Sequence, residues 1–174
     1  NLGYTPNEIA AEVTLPPGLW NDFMCHGYYG TVSHNVRAVY QRYIGFYDGH
    51  PSSLDPYTPI EAGKRYVDFM GGIDELLEKA KNAFEKGDYK WVAEVLRDAV
   101  FTDPDNDEVR LLQADAFEQL AYQAESGPWR DIYLTGAQEL RNGSIDVPVL
   151  QRPRLEVAKG MTLGQIFDFL AVKV

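Results

Sequence analysis

DELLEKAKNAFEKGDYKWVAEVLRDAVFTDPDNDEVRLLQADAFEQLAYQA, residues 74–124, is the stretch that decides the fold. Breaks at residues 87–88 and 103–106 divide it into three segments, and each segment repeats apolar residues at helical spacing. Small residues should let the first two helices approach closely: Ala80, Ala83, Ala93 and Ala99. Larger apolar residues should fill the groove between them: Phe84, Trp91, Val95, Leu96 and Val100. The stretch therefore predicts an all-α fold, a helical bundle.

The first two of these helices resemble a tetratricopeptide repeat. In that helix-turn-helix pattern, Gly87 lies at the turn between the helices and Tyr89 wedges between them. Ala93 and Ala99 allow close contact of the two helices, and Pro104 ends the second helix. One clear repeat is present, whereas a free-standing solenoid needs three or more. The hairpin must therefore bury its remaining apolar surface against another helix of the chain or against a partner subunit.

Further helices are predicted on both sides of this core. Capping residues and first-turn prolines predict helices beginning near Thr5 and Pro59, and another after Pro128 that ends at Asn142 and Gly143. Within the second of these, Tyr66, Val67 and Met70 are expected to face inward. His50 lies in a proline-rich segment, residues 49–59, which predicts a loop with an exposed histidine.

Side chains that could take part in binding or catalysis are most concentrated in residues 26–49, HGYYGTVSHNVRAVYQRYIGFYDG. This segment contains two of the three histidines and five of the eleven tyrosines. Gly27 and Gly30 predict a turn, and a helix capped by Thr31 or Ser33 should follow. Its apolar residues recur at spacings typical of one buried helical face: Val36, Val39, Tyr40, Tyr43 and Ile44. The preceding apolar cluster is expected to pack under this segment: Leu19, Trp20, Phe23 and Met24.

Polar groups collect at the start of that helix. His34, Asn35 and the ring of Tyr28 or Tyr29 lie near its N-terminus, where amide groups and the helix dipole favour an anion. An anionic ester is a plausible neighbour for this end. Arg42 and Tyr43 follow further along the helix and flank the site less directly. The alternative interpretation makes His34 a simple cap and makes Tyr40 and Tyr43 core residues with hydrogen-bonded hydroxyls.

Composition excludes several classes of function. The net charge of −10 and the pI of about 4.7 disfavour nucleic acid as a partner. Cys25 is the single cysteine, so an intrachain disulfide and a CxxC metal site are excluded. Three dispersed histidines cannot form a binuclear zinc site, so no metal ligand is predicted here. No apolar stretch reaches the length of a membrane span, and no signal peptide precedes Asn1, which reads as an internal residue of a longer protein.

Three strings carry a family resemblance: the 26–49 segment quoted above, then KRYVDFMGG at residues 64–72 and YQAESGPWRDIYLTGAQELR at residues 122–141. Together they resemble the alkyl sulfatases of the metallo-β-lactamase superfamily. The resemblance implies a parent enzyme with a zinc hydrolase domain, an α-helical dimerisation domain and a C-terminal sterol-carrier-like domain. It also implies that this enzyme hydrolyses alkyl sulfate esters with the help of two bound zinc ions. The compartment stays open, with a periplasmic or secreted bacterial parent as one option.

On this resemblance, residues 1–143 are the dimerisation domain, and residues 144–174 are a linker and the first helix of a truncated sterol-carrier-like domain. The chain alone is expected to be inactive and to pair with a second copy and with the hydrolase domain of the parent. Residues 26–49 would face the active site and bind the alkyl sulfate. His34 would be the acid or the sulfate hydrogen-bond donor. Tyr28, Tyr29 and Tyr43 would bind sulfate oxygens or line an alkyl channel, with Asn35 and Arg42 in support.

A second hypothesis belongs to a different class. The chain can be a stand-alone helical-repeat module for protein–protein interaction, with no enzymatic activity. A repeat protein that binds peptides in a groove is a weaker variant, because the 74–124 helices offer few Asn, Lys and Arg residues for such a surface.

Overall fold

The computed structural model describes residues 3–144 and 159–171, and within these ranges the regular elements are all helical. The all-α prediction is confirmed. The α-helices are α1 Pro6–Glu12, α2 Pro17–Trp20, α3 Val32–Tyr43, α4 Pro59–Phe69, α5 Ile73–Glu85, α6 Tyr89–Thr102, α7 Asp107–Gln123, α8 Gly127–Asn142 and α9 Leu163–Ala171. Short 3-10 turns occupy Phe23–Cys25 and Pro51–Ser53. None of the described helices is long and apolar enough to cross a membrane.

Helix boundaries follow from the capping residues. Thr5 and Glu8 form a reciprocal capping box at α1, and Thr31 accepts the His34 amide at 3.0 Å at the start of α3. Thr58 and Ser126 cap α4 and α8 in the same manner. Each of those two helices also carries a proline in its first turn, where a missing N–H costs no hydrogen bond. These predicted starts are confirmed.

Helices α4 to α8 form a helical body around one core. The α5–α6–α7 core buries Leu76, Leu96, Val92, Val109 and the alanines Ala80, Ala99 and Ala116. Helix α4 packs along α6, and α8 packs along α7. The tetratricopeptide-like hairpin therefore covers part of its apolar surface with helices of the same chain, whereas Trp91 and Phe101 stay exposed. Gln113 crosses this core, and its side-chain amide donates to the Ala93 carbonyl at 2.9 Å, which satisfies a buried polar group.

Several residues that were predicted to be buried are exposed. Val39, Tyr43 and Ile44 are exposed on α3, so the predicted single buried face of this helix is wrong. The helix packs mainly on the short α1, which covers little more than the side carrying Val36 and Tyr40. Trp91 and Tyr66 are likewise exposed, because the close approach of α4, α5 and α6 is made by smaller side chains.

The cluster before the 26–49 segment is also more exposed than predicted. The Phe23 ring does contact Tyr28, with ring centroids 5.1 Å apart, and Trp20 lies 6.4 Å from His26. However, Leu19, Trp20, Phe23 and Met24 all remain exposed. Two very short helical elements hold them, and elements of this length offer no second layer to cover large side chains.

The chain divides into two compact units, Asn1–Ser144 and Ile145–Val174. In the second unit α9 begins with a reciprocal cap, since Thr162 Oγ1 accepts the Gln165 amide and the Gln165 carboxamide accepts the Thr162 amide. Leu163 and Phe167 are exposed on it. The predicted linker at residues 144–153 lies almost wholly outside the described residues. The assignment of this unit to a sterol-carrier-like domain remains a prediction.

Arg141 joins α8 to α7 through two carboxylates. Its guanidinium donates to Asp115 and Glu118, both at 2.6 Å. The Tyr122 hydroxyl, together with Arg141, lowers the pKa of Glu118 below its ordinary value of 4.5. A carboxyl whose pKa is lowered by folding stabilises the folded state above its unfolded pKa, and this contribution is lost as the pH falls through the folded pKa.

We therefore expect Arg141→Met to lower the melting temperature at pH 7 by roughly a few degrees. The difference from the wild type should shrink once the pH falls below 4.5, because Glu118 is then protonated in the unfolded chain and progressively in the folded one. Thermal denaturation at a series of pH values from 7 to 3 measures this, and a difference that stays constant with pH contradicts it.

Candidate functional site

The candidate site is built around a turn made by residues 26–30, here called the glycine turn. It precedes α3 directly and contacts residues 124–127, here called the α7–α8 corner. Ser126 Oγ donates to the Tyr29 carbonyl at 2.5 Å, and the Gly127 amide donates to the Tyr28 carbonyl at 2.8 Å. Ser126 is only 1% exposed and also caps α8. The turn is thereby bonded to a rigid point of the helical body.

A carboxylate completes this contact. Glu125 Oε1 lies 2.8 Å from His26 Nδ1, and Glu125 Oε2 accepts the Gly27 amide at 3.3 Å. The His26 ring also stacks on Tyr28, with centroids 5.6 Å apart. These groups are in contact although they are distant in the sequence, since Gly27 and Glu125 are 98 positions apart.

A cavity of about 350 Å³ opens beside the glycine turn. Its polar lining comes from Cys25, His26, Asn35 and Glu125, and its apolar lining comes from Leu15, Trp20 and Val32. Asn35 faces Gly30 closely, because a Cβ built on Gly30 would lie 3.2 Å from Asn35 Oδ1. The cavity therefore combines hydrogen-bonding groups with an apolar wall, as is common in small-molecule sites.

His34 lies in the first turn of α3 but lines a different cavity, of about 240 Å³. Its neighbours there are Arg37, Trp129, Ile132 and Tyr133. The His34 and Trp129 rings meet edge to face at 6.3 Å. The backbone amide of His34 donates to Thr31, the cap of α3. The His34 side chain is exposed, so its imidazole is accessible to a ligand. His34 and Asn35 are therefore neighbours in the sequence but line two different cavities.

The other predicted site residues do not line either of these two cavities. Tyr28 and Tyr29 are both exposed on the glycine turn, with Tyr29 at 81%. Arg42 and Tyr43 are exposed at the opposite end of α3. Nine residues of helix separate His34 from Tyr43, a rise of about 13 Å. The structure therefore brings His34, Asn35, Tyr28 and Tyr29 together at one end and leaves Arg42 and Tyr43 at the other.

Comparison with known proteins identifies the family. Residues 5–143 match the alkyl sulfatase dimerisation family. The chain belongs to this family. The family is described by its part in the dimerisation of alkyl sulfatases.

Curated relatives of this dimerisation domain are alkylsulfatases. A linear primary-alkylsulfatase from Pseudomonas sp. is 49% identical over 174 residues, and an (R)-specific secondary-alkylsulfatase from Pseudomonas sp. is 50% identical over 176 residues. Alkyl/aryl-sulfatase BDS1 of Saccharomyces cerevisiae is 45% identical over 179 residues. Each alignment covers 100% of this chain but only 26%, 26% and 27% of the relative, respectively. The chain thus spans about a quarter of the length of these enzymes.

Solved structures agree with this assignment. The stereoselective inverting sec-alkylsulfatase Pisa1 from Pseudomonas sp. superposes with a TM-score of 0.84 at 52% identity, covering 86% of this chain and 24% of that one. A double mutant of the sec-alkyl sulfatase PisA1 gives a TM-score of 0.88 at 48% identity, covering 98% of this chain and 27% of that one.

The dimerisation domain offers no evident metal site. Across residues 3–144 and 159–171, no group of three or more His, Cys, Asp or Glu side chains converges in a way that could hold a metal ion. His26 and Glu125 form a pair, and Cys25 lines the same cavity without completing a ligand set. His50 accepts the Ser52 amide at 3.2 Å through Nδ1 and caps a short turn, as expected of a loop histidine.

Sequence reasoning missed His26, Glu125 and Trp129 as neighbours of the predicted site. Each lies in a string that carries the family resemblance, which was the one available signal. Helical periodicity could not reveal His26 and Glu125, because Glu125 follows the end of α7 and His26 precedes α3. Trp129 lies in α8, and periodicity within α8 does not show that it contacts α3. Their proximity is a product of tertiary structure.

Proposed function

We propose that this chain is the dimerisation domain of a zinc-dependent alkyl sulfatase, an enzyme that hydrolyses alkyl sulfate esters such as dodecyl sulfate to the alcohol and sulfate. The observation that carries the proposal is the match of the whole chain, at 45–50% identity, to three alkylsulfatases of which it covers about a quarter. Such a share fits one domain of a larger enzyme.

The catalytic metal belongs, in this proposal, to another part of the enzyme. From the family resemblance we propose that the parent holds two zinc ions in a separate hydrolase domain. The described residues of this chain do not fit a zinc ligand set. The residues of this chain are therefore not proposed to coordinate zinc. What the chain supplies is a dimer interface and one wall of the substrate site.

His34 is the residue proposed to act on the reacting group. Its imidazole is exposed at the start of α3 and can donate a hydrogen bond to a sulfate oxygen or a proton to the leaving alcohol. Arg37 lines the same cavity and adds a positive charge that favours an anionic ester. The N-terminal end of α3 favours the same charge through its dipole.

The remaining site residues divide by their position along α3. Tyr28, Tyr29 and Asn35 lie at the end that carries His34, so we assign them to the sulfate group and its surroundings. Arg42 and Tyr43 lie about 13 Å away along the helix axis, and this separation suits the alkyl chain better than the sulfate. Tyr43 would line the channel with its ring, and Arg42 would support it with its aliphatic stem.

Self-association is supported by the surface of the helical body. Large apolar side chains remain exposed on its helices: Phe69, Trp91, Phe101, Tyr122 and Ile132. A contiguous apolar patch marks a surface that contacts another protein, and we propose that these residues contribute to such a patch. The observation also suits the second candidate function, an interaction module with no chemistry of its own. The two functions are compatible for a domain of a larger enzyme and differ only in whether that enzyme releases sulfate.

The test is sulfate release from dodecyl sulfate with added zinc, measured for the full-length polypeptide that carries this domain and for the 174-residue chain. We expect release by the former and none by the latter. A full-length protein that is folded, loaded with zinc and inactive on primary and secondary alkyl sulfates overturns the sulfatase proposal and favours the interaction module.

Metal removal gives a second prediction. We expect a chelator to abolish sulfate release by the full-length polypeptide while leaving the melting temperature of the 174-residue chain unchanged, because the described residues offer no metal site. Differential scanning fluorimetry with and without chelator measures the second effect. A chelator-induced loss of stability in this chain would place a structural metal within it.

A further inference from the structure

The glycine turn determines how α3 is held on the helical body. Helix α3 packs mainly on α1, and its link to α7 and α8 runs through the glycine turn and the ring contact of His34 with Trp129. Residues 26–29 bond to residues 125–127 by the contacts described above. Thr31, which caps α3, follows this turn directly, and His34 lies in the first turn of that helix, so we expect a shift of the turn to reach both residues.

Glu125 makes two of these bonds from one side chain. Its two oxygens bind consecutive residues of the turn, the imidazole of His26 and the amide of Gly27. A carboxylate that holds two neighbouring groups fixes both the position and the direction of the chain between them.

Glu125 can also be altered without damaging the core. Its side chain is 50% exposed, so its removal leaves no internal cavity. Ser126, in contrast, is buried and caps α8, and the bond of Gly127 is made by the backbone. Loss of the Glu125 carboxylate should therefore loosen the turn while the two main-chain carbonyl contacts keep it attached.

We propose that Glu125 is a positioning residue for the site that contains His34: it holds the glycine turn, and through it the first turn of α3, against the α7–α8 corner. The inference rests on the proposed function, since it concerns the placement of His34 relative to an alkyl sulfate. Misplacement of a reacting group by about 1 Å can cost roughly 100-fold in rate. Loss of an ordinary exposed ion pair changes stability little and rate not at all.

The experiment compares four forms of the zinc-loaded full-length polypeptide: wild type, Glu125→Ala, Glu125→Gln and Glu108→Ala. Glu108 is the matched control, because it pairs with Lys81 on the helical body, away from the glycine turn. We expect Glu125→Ala to lower kcat about 10- to 100-fold with KM changed by less than about threefold. Glu125→Gln, which keeps one acceptor oxygen, should recover part of the loss, and Glu108→Ala should match the wild type.

Two further readouts separate positioning from folding. Melting temperature and dimer mass should be the same in Glu125→Ala as in Glu108→Ala. Hydrogen exchange of the Gly27 amide should become faster in Glu125→Ala, because its acceptor is gone.

An unchanged kcat in Glu125→Ala overturns the inference, as does an unchanged exchange rate at Gly27. A loss of kcat that merely follows a loss of folded dimer also overturns it. A wild-type protein that releases no sulfate is a different result, since it removes the proposed function itself. The wild-type arm therefore distinguishes the two failures.

Discussion

His34→Ala in the full-length polypeptide is expected to lower kcat for dodecyl sulfate by about 10²- to 10⁴-fold, the contribution usual for a positioned proton donor. The physical reason is the exposure of the imidazole beside Arg37 at the positive end of α3, where the proposed function has it donate to an ester oxygen as the leaving alcohol forms. Steady-state kinetics with dodecyl sulfate measures the effect.

His34→Gln distinguishes the two proposed roles of this residue. A glutamine can still donate a hydrogen bond to a sulfate oxygen but cannot transfer a proton. Partial recovery of kcat therefore indicates binding of the sulfate, and no recovery indicates an acid. His50→Ala is the matched control, because His50 only caps a loop turn, and it should leave kcat unchanged. Wild-type kinetics in His34→Ala would exclude His34 from the site.

The second large effect is expected from Gly63→Ala, which should lower the stability of the helical body by about 2–3 kcal/mol. A Cβ built on Gly63 would lie 2.7 Å from the backbone carbonyl oxygen of Asp98 and 3.1 Å from Thr102 Oγ1. The Thr102 hydroxyl itself donates to that carbonyl at 2.8 Å, so neither atom can move away freely. Helices α4 and α6 must therefore separate.

Gly136→Ala is the matched control, since it places the same methyl group in the interior of α8. Its Cβ would meet the Phe117 ring at 3.3 Å, and a side chain can shift by a few tenths of an ångström where a backbone carbonyl cannot. Both substitutions gain about 1 kcal/mol of helix propensity. Thermal denaturation should therefore show Gly136→Ala near the wild type and Gly63→Ala lower by roughly 5–10 °C. Equal melting temperatures would contradict the close packing of α4 on α6.

Local sequence patterns predicted the helices well, because helix starts and stops depend on neighbouring residues. Thr5, Thr31 and Asn106 cap the helices that follow them, and Gly143 ends α8 with a φ of 80°. The α5–α6 hairpin could be predicted for the same reason, since the turn at Gly87 and the small residues of the pair lie within one repeat.

Periodicity could not predict what covers an apolar face. Val39 and Tyr43 have the spacing of buried residues, yet they are exposed in this chain. A pattern of apolar residues reports that a surface should be covered, and it does not say whether the cover is the same chain, a second copy or another domain. The chain represents about a quarter of its relatives, so part of the cover is proposed to lie in the remainder of the enzyme.

The site could be predicted only in part for a related reason. His34 and Asn35 were predicted as site residues because they lie in the first turn of α3, close in sequence to a cluster of tyrosines. His26 and Glu125 were missed because the contact between them joins two loops that are distant in sequence. No local rule relates such loops, and only the packing of α7 and α8 brings the corner to the glycine turn.

The most direct test of the account is the mass of the 174-residue chain in solution, measured by multi-angle light scattering over a range of concentrations. Because one chain has a mass of 19.6 kDa, a dimer has twice that mass. We expect the dimer, since the chain belongs to a dimerisation family and leaves large apolar side chains exposed on its helical body. A mass of 19.6 kDa at every concentration would contradict the claim that this chain carries the dimer interface.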